Sequence, residues 1–211
     1  MLTKADIQAR LQAAYSPQLL PESPYPEGML DSNPQLAAVL ILFIQKEDGW
    51  HLLFIRRTEM PNDRHSGQVA FPGGRCEPVD PNVEAAALRE AQEEVGVDPA
   101  DVQILGRVRD MLTITNYQVT PFIGTIPWPY EFTPQVEEVA RIFTIPLQWL
   151  AESTHYEVKM RGLQILGRNI PVIYFDKYDG ELLWGASARI TVLLLEALGL
   201  AVPNRRYNLK Q

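Results

Sequence analysis

The chain has little cysteine and no long apolar segment. Cys76 is the only cysteine among 211 residues, which excludes an internal disulfide bond and favours a reducing compartment. No uninterrupted apolar run approaches the roughly 18 residues that a membrane-spanning helix needs, and charged side chains interrupt residues 1–15, where a signal peptide would be apolar. We therefore expect a cytoplasmic protein with no membrane partner.

An excess of basic residues is also missing. The formal net charge is −7, whereas proteins that bind duplex nucleic acid normally show a basic excess or a basic stripe. No internal repeat or low-complexity tract occurs. We therefore expect no nucleic-acid partner, and an anionic small-molecule substrate would have to be held by metal ions and a few local arginines.

Composition and patterning predict one domain of mixed α and β structure. The hydrophobic content of 46% is enough for one sizeable core. An amphipathic helix is predicted over residues 3–15, with Ile7, Leu11 and Ala14 on one side, and a proline-rich irregular connector over residues 17–34. Strands are predicted at 36–45 and 51–56, as a hairpin, and at 102–108, 119–126, 140–145, 156–160 and 170–175. With a helix ending near Glu94 and another over 186–198, this order favours an α/β sandwich.

One short helix carries three glutamates on one side. Glu90, Glu93 and Glu94 stand at i, i+3 and i+4 and share a face, while Leu88, Ala91 and Val95 lie on another. Like charges at this spacing repel, and a hard cation such as Mg²⁺ or Mn²⁺, which prefers oxygen ligands, would relieve the repulsion. The plainer alternative is a solvated acidic face with an Arg89–Glu93 ion pair.

The residues around the helix favour the metal site. Gly73 and Gly74, ahead of the helix, allow the backbone to approach a ligand closely. Gly96 is placed to end the helix in a left-handed cap, and Asp98-Pro99 follows as a stop.

This segment resembles the signature of the Nudix hydrolases. Residues 89–97, with the sequence Arg-Glu-Ala-Gln-Glu-Glu-Val-Gly-Val, match the second half of the signature fully. The first half departs, because Pro81 stands where the pattern has a glutamate and the nearest acids are Asp80 and Glu77. Whether Asp80 replaces that glutamate, by bonding Arg89 and bracing the loop, is left open by the sequence.

Four further stretches resemble the Nudix subgroup that hydrolyses coenzyme A. They are residues 52–57 and 64–74, which are similar to its coenzyme-A motif although the Arg57–Gly67 spacing is about one residue long, and residues 116–122 and 184–190. The resemblance covers roughly residues 36–199. It divides the chain into an N-terminal helix and connector (1–35), a Nudix domain (36–199) and a C-terminal tail (200–211).

The resemblance implies a Nudix-type α/β/α sandwich with a mixed β-sheet and a loop–helix–loop metal site. Glu90, Glu93 and Glu94 are implied as catalytic ligands of Mg²⁺ or Mn²⁺, which neutralises charge on a pyrophosphate and activates water. The Gly73 carbonyl is a further candidate ligand. The proton acceptor differs between Nudix enzymes, and Glu138 is the candidate on a later loop, against the alternative of a solvated turn.

The candidate substrate-binding groups lie just before the metal-binding helix. Arg57 and Arg64, with His65, precede the glycine turn at Gly73 and Gly74, and arginine matches phosphate geometry with a planar fork. Two further candidates are weighed against simple packing: Trp184 as a stacking partner for adenine, and Cys76, for which a small buried or half-buried side chain is the stronger interpretation.

Three functions remain open. The first is metal-dependent hydrolysis of coenzyme A or acyl-coenzyme A to 3',5'-ADP and (acyl-)phosphopantetheine, indicated by residues 57–74. The second is a Nudix pyrophosphatase for another nucleoside diphosphate derivative, such as ADP-ribose, a dinucleotide or a nucleoside triphosphate. The third is a nucleotide-sensing module without catalysis, against which the full glutamate set argues. The sequence leaves the oligomeric state open.

Overall fold

The computed structural model describes residues 2–25, 30, 33–61, 66–163 and 168–200. The helices are α1 (Lys4–Ala14), α2 (Val83–Val95), α3 (Leu147–Ala151) and α4 (Gly185–Ala197), and short 3-10 turns occur at Pro99–Asp101 and Ser153–His155. The strands are β1 (Gln35–Lys46), β2 (Gly49–Arg57), β3 (Val69–Ala70), β4 (Gly73–Arg75), β5 (Gln103–Arg107), β6 (Met111–Leu112), β7 (Tyr117–Thr125), β8 (Val139–Pro146), β9 (Tyr156–Leu163), β10 (Arg168–Tyr178) and β11 (Glu181–Trp184). Within these ranges no helix is long and apolar enough to cross a bilayer.

The strands form two sheets. In the larger, mixed sheet the central order is β3-β2-β1-β7-β5, and β4, β6 and β8 pair with β1, β7 and β2 respectively. Strands β1 and β7 run parallel, whereas the other pairs are antiparallel. The smaller sheet is antiparallel with the order β11-β10-β9.

Strand β1 is buried on both faces, which explains its continuous apolar sequence. One face, with Leu40 and Leu42, packs against Ala91 and Val95 of α2. The other face, with Ile41, belongs to a second core cluster that also includes Ile7 and Leu11 of α1, Leu194 of α4 and Ile173 of β10. Helices therefore cover both faces of the mixed sheet, and the predicted α/β/α sandwich is confirmed.

Helix α2 begins and ends where its sequence indicates. The Asn82 side chain accepts a hydrogen bond from the Ala85 amide at 2.8 Å, a common N-terminal cap. At the other end Gly96 adopts φ 72° and ψ 21°, and its amide donates to the Gln92 carbonyl. The predicted left-handed cap is confirmed, and both ends of the helix are fixed by local sequence.

One prediction about the N-terminal segment needs correction. Ala14 is exposed, unlike Ile7 and Leu11, because α1 ends at this residue and the chain continues in an extended conformation. The described part of the connector is irregular, as predicted, and it is held at Glu22: the Glu22 amide donates to the Asp110 carbonyl, and the Leu112 amide donates to the Glu22 carbonyl. These bonds hold the connector along β6, beside the site.

Candidate active site

Strand β4 brings the glycine turn against both the sheet and α2. Gly73 pairs with Val39 and Gly74 with Ala38 of β1. Gly73 has φ +154°, and a Cβ atom at this position would lie 2.3 Å from the Ala38 carbonyl oxygen. Only glycine fits such an approach, so the close packing of β4 against β1 requires glycine at position 73.

Glu94 is the buried carboxylate of the site. Its side chain accepts a hydrogen bond from the Gly73 amide at 2.9 Å, and Arg57 Nη1 lies 3.6 Å from its other oxygen. Burial raises the pKa of Glu94 to about 7, the charges of Glu90 and Glu138 also raise it, and the Gly73 and Arg57 contacts lower it. Burial of a carboxylate in this way is costly unless positive charge is nearby.

Glu90 lies one turn earlier, half-buried beside Gly74. A Cβ atom on Gly74 would stand 2.6 Å from the Glu90 carboxylate carbon and oxygens, so the absence of a side chain at Gly74 makes room for this carboxylate. Burial raises the pKa of Glu90, to which the charges of Glu93 and Glu138 add, whereas Arg89 lowers it.

Arg89 ties the loop to the helix. Its Nε and Nη2 donate to the two carboxylate oxygens of Asp80 at 2.9 and 3.0 Å. Its Nη1 lies 3.0 Å from both Glu90 Oε1 and Glu93 Oε2, and its Nη2 also donates to the Arg75 carbonyl. The proposed Asp80–Arg89 contact is therefore present, in spite of the altered spacing of the first half of the signature.

Glu93 is placed differently from the other two helix glutamates. Its side chain is 56% exposed and pairs with Arg89 at i, i+4. Its contacts are those expected from the plainer alternative, in which Glu93 faces water and forms an ion pair with Arg89. A role for Glu93 as metal ligand stays a prediction.

Glu138 lies on the loop that follows β7. The Thr58 amide donates to its carbonyl at 2.8 Å, which anchors this loop beside the end of β2. The Glu138 side chain is exposed, and its charge raises the pKa of both Glu90 and Glu94. The candidate proton acceptor therefore belongs to the same electrostatic site as the two helix carboxylates.

The donor set suits a hard divalent cation, although the side chains are not arranged around one. Within residues 2–25, 30, 33–61, 66–163 and 168–200, no group of three or more Asp, Glu, His or Cys side chains is positioned to hold a metal ion. Glu90, Glu94 and Glu138 nevertheless offer only carboxylate oxygens, which Mg²⁺ and Mn²⁺ prefer. Burial first, and neighbouring carboxylate charges second, raise the pKa of Glu90 and Glu94, and a bound cation would favour their charged forms.

A cavity of about 1210 Å³ opens beside the glycine turn. It extends from Gly73 and Gly74 to the smaller sheet and the start of α4, and the connector forms part of its wall. Among the described residues, the charged side chains that line it are four arginines and one glutamate: Arg57, Arg75, Arg161, Arg189 and Glu22. Glu22 contacts Arg189, so arginines exceed carboxylates in the described lining.

Sequence reasoning found only part of this lining. Arg57, Gly73, Gly74 and Trp184 line the cavity as candidates from the sequence, and Trp184 is half-buried there instead of lying in the core. Arg64 and His65 lie outside the described residues. Arg161 was missed because alternating charged residues in Glu157–Arg161 indicate only an exposed strand face.

The surroundings of Cys76 favour a packing role for its side chain. It is half-buried, as expected, and burial raises the pKa of its thiol, with the charge of Asp80 adding to the effect. A raised pKa keeps the side chain in the unreactive thiol form.

Asp80→Asn is expected to loosen the loop. The change removes the charge that Arg89 contacts through two hydrogen bonds, each of the charged kind that contributes roughly 1.5–3 kcal/mol. We expect a lower unfolding free energy and reduced turnover. Chemical denaturation and steady-state kinetics test this, with Asp101→Asn as the control at an exposed acid away from Arg89. Equal effects of the two substitutions would show that the Asp80–Arg89 contact does not brace the site.

Comparisons with known proteins show the family to which the chain belongs. The NUDIX domain family matches residues 34–163. A Photorhabdus laumondii protein named as an uncharacterized Nudix hydrolase, NudL, is 38% identical over 170 residues, covering 79% of this chain and 87% of that protein. The Escherichia coli protein of the same name is 36% identical over 152 residues, covering 72% of this chain and 71% of that protein.

Two solved structures illustrate the more distant similarity. C. elegans Ap4A hydrolase is 17% identical with a TM-score of 0.47, covering 53% of this chain and 80% of that one. The NUDIX domain of Shewanella oneidensis NrtR, complexed with ADP ribose, is 19% identical with a TM-score of 0.44, covering 66% of this chain and 82% of that one. The domain match and the NudL similarities carry the assignment: the chain belongs to the Nudix hydrolases, enzymes that cleave pyrophosphate bonds.

Proposed function

We propose that this enzyme hydrolyses the pyrophosphate bond of coenzyme A or of its acyl derivatives. The observation that carries the proposal is the arginine-lined cavity beside Gly73 and Gly74, in a protein whose net charge is −7. A volume of about 1210 Å³ exceeds the upper end of the usual range for small-ligand pockets, roughly 1,000 Å³. Coenzyme A is both large and multiply anionic, and it also has an extended uncharged arm.

The apolar part of the cavity favours coenzyme A over a nucleoside triphosphate. Met111, Val119 and Ile190 line it together with the arginines. Beyond its base and ribose, a nucleoside triphosphate has no uncharged arm to place there. The pantetheine arm, with or without an acyl chain, can lie against such side chains.

In the proposed reaction, each group of the site has one role. Glu90 and Glu94, with Glu93 as a third candidate, would hold Mg²⁺ or Mn²⁺, which supplies charge neutralisation and activation of water when bound. Arg57, which reaches Glu94 from β2, is placed to contact phosphate oxygens as well. The hydrogen bonds between Asp80 and Arg89 hold the loop against helix α2.

Hydrolysis forms one bond and breaks one. The water oxygen bonds to one phosphorus, and the bridging oxygen leaves with the other phosphate. Glu138, exposed on its loop and electrostatically coupled to the helix carboxylates, accepts the water proton and passes it to solvent. The products are 3',5'-ADP and phosphopantetheine, or its acyl derivative.

A substrate comparison tests the proposal. The purified protein is incubated with coenzyme A, ADP-ribose, NADH or a diadenosine polyphosphate, with Mg²⁺, with Mn²⁺ or with a chelator, and products are identified by mass spectrometry. We expect 3',5'-ADP from coenzyme A, only when metal is present. Preferred cleavage of another compound would overturn the coenzyme A assignment and keep the chemistry, and no cleavage at all would favour the sensing alternative.

A further inference from the structure

One face of the smaller sheet carries a layer of aromatic and cationic side chains. Trp184 of β11 pairs in register with Tyr174 of β10, and their rings lie 5.6 Å apart between centroids with planes 4° apart. The Arg161 guanidinium of β9 lies 5.2 Å from the centroid of the Trp184 ring. In the same way, Lys159 Nζ lies 5.4 Å from the centroid of the Tyr174 ring.

Only half of this layer belongs to the cavity. Trp184 and Arg161 line it, whereas Tyr174 and Lys159 do not. The smaller sheet therefore carries two neighbouring cation–aromatic pairs. One of them lines the cavity, and the other, which does not, provides a control for substitutions in the first. We call the first of them, Trp184 with Arg161, the Trp184–Arg161 pair.

The charge of Arg161 is available to a ligand. Its side chain is exposed, and in the described part of the chain its guanidinium contacts the Trp184 ring and no carboxylate. Arg189, which also lines the cavity, instead contacts Glu22. A guanidinium that stacks through its plane keeps the N–H groups at its edges for an anion, and it matches phosphate oxygens with two parallel hydrogen bonds.

The chemistry of the pair fits a nucleotide better than a pantetheine arm. A tryptophan ring and a guanidinium plane are both flat surfaces on which a base can stack, and the guanidinium edge recognises phosphate. The pantetheine arm offers neither an aromatic ring nor a charge. A second phosphate, away from the pyrophosphate that the glycine turn and Arg57 face, would complement the charge of Arg161, which no carboxylate among the described residues contacts.

We propose that the Trp184–Arg161 pair is the nucleotide subsite of the cavity, in which the base packs against the pair and Arg161 binds a phosphate monoester on the ribose. The proposal rests on the proposed function, because coenzyme A carries such a group at the ribose 3' position. Arg161 would then be the residue by which the enzyme distinguishes coenzyme A from dephospho-coenzyme A and from nucleotides that have no second phosphate.

Equilibrium binding of the nucleotide alone tests the subsite without relying on turnover. Adenosine 3',5'-bisphosphate and adenosine 5'-monophosphate are titrated into the enzyme with Mg²⁺ by calorimetry. We expect the wild type to bind the bisphosphate more tightly. Arg161→Gln should weaken the bisphosphate roughly tenfold, the value of one charged hydrogen bond, and reduce the preference between the two nucleotides. Trp184→Leu should weaken both.

Lys159→Gln is the matched control, since it removes the neighbouring cation that lies over an aromatic ring outside the cavity. It should leave both affinities unchanged. An unaltered preference in Arg161→Gln, an equal loss in Lys159→Gln, or a wild type that does not distinguish the two nucleotides would each overturn the subsite.

Turnover distinguishes failure of the subsite from failure of the proposed function. The ratio of kcat/KM for coenzyme A to that for dephospho-coenzyme A should fall in Arg161→Gln and stay constant in Lys159→Gln. A wild type that shows the predicted nucleotide preference but does not cleave coenzyme A would overturn the proposed function and leave the subsite in place.

Discussion

Replacement of Glu94, the proposed metal ligand, by glutamine is expected to lower kcat/KM by at least about a hundredfold, because loss of even the groups that only orient metal ligands costs 10- to 100-fold. The amide has nearly the shape of the carboxylate and can still accept the hydrogen bond from the Gly73 amide. It cannot contribute negative charge to a cation. Activity should therefore fall while the fold is retained.

The pH dependence of stability gives an independent test of the buried charge. In the metal-free enzyme the pKa of Glu94 is about 7, against an ordinary value of 4.5. Between these pH values the folded state keeps a proton that the unfolded state has released, so stability falls as the pH rises through this window. A shift of this size corresponds to roughly 3 kcal/mol. Glu94→Gln cannot ionise, and its unfolding free energy should lack this decline.

Urea denaturation at pH 5 and pH 8 in chelator measures the difference. At pH 8 we expect Glu94→Gln to equal or exceed the wild type in stability, although it is nearly inactive with metal. Glu196→Gln, at an exposed glutamate on α4, should match the wild type in both assays. A fully active Glu94→Gln enzyme would remove Glu94 from the metal site.

The elements that could be predicted from the sequence are those whose cause is local. Helix α2 has its capping residue, its apolar face and its terminal glycine within one short segment, and its end at Gly96 follows from these. The β1–β2 hairpin follows from two apolar runs separated by a turn. The short strands β3, β4 and β6 were missed because two or three residues carry no periodicity. Their extended conformation comes from pairing with longer strands.

The same distinction separates the predicted site residues from the missed ones. The spacing of Glu90, Glu93 and Glu94 follows from the helical repeat, but their different burial does not. Strand β4 contacts Glu94 through the Gly73 amide but leaves Glu93 exposed. This difference depends on the pairing of β4 with β1, which is distant in the chain. Arg161 joins the cavity only through its place in the smaller sheet. No local pattern around Arg161 contains that information.

The two glycines of the turn should respond in opposite ways to alanine. At Gly73 the new Cβ would lie 2.3 Å from the Ala38 carbonyl oxygen and 2.6 Å from the Val39 Cα, both backbone atoms that cannot turn aside. The positive φ adds conformational strain. We expect Gly73→Ala to lose about 3 kcal/mol or more of unfolding free energy, measured by chemical denaturation.

Gly74→Ala should instead damage the site and spare the fold. Its Cβ would meet the Glu90 carboxylate at 2.6 Å, and a side chain can rotate away at little structural cost. Displacing a catalytic group by about 1 Å can cost a hundredfold in rate, so we expect near-normal stability with a large loss of turnover. Gly49→Ala is the control for strain alone, since Gly49 has φ +127° with nothing within 4 Å of the new Cβ, and it should cost about 1–2 kcal/mol without affecting turnover. If Gly74→Ala kept full activity, Glu90 would be able to work from another position, and the close contact between this glycine and the carboxylate would have no part in catalysis.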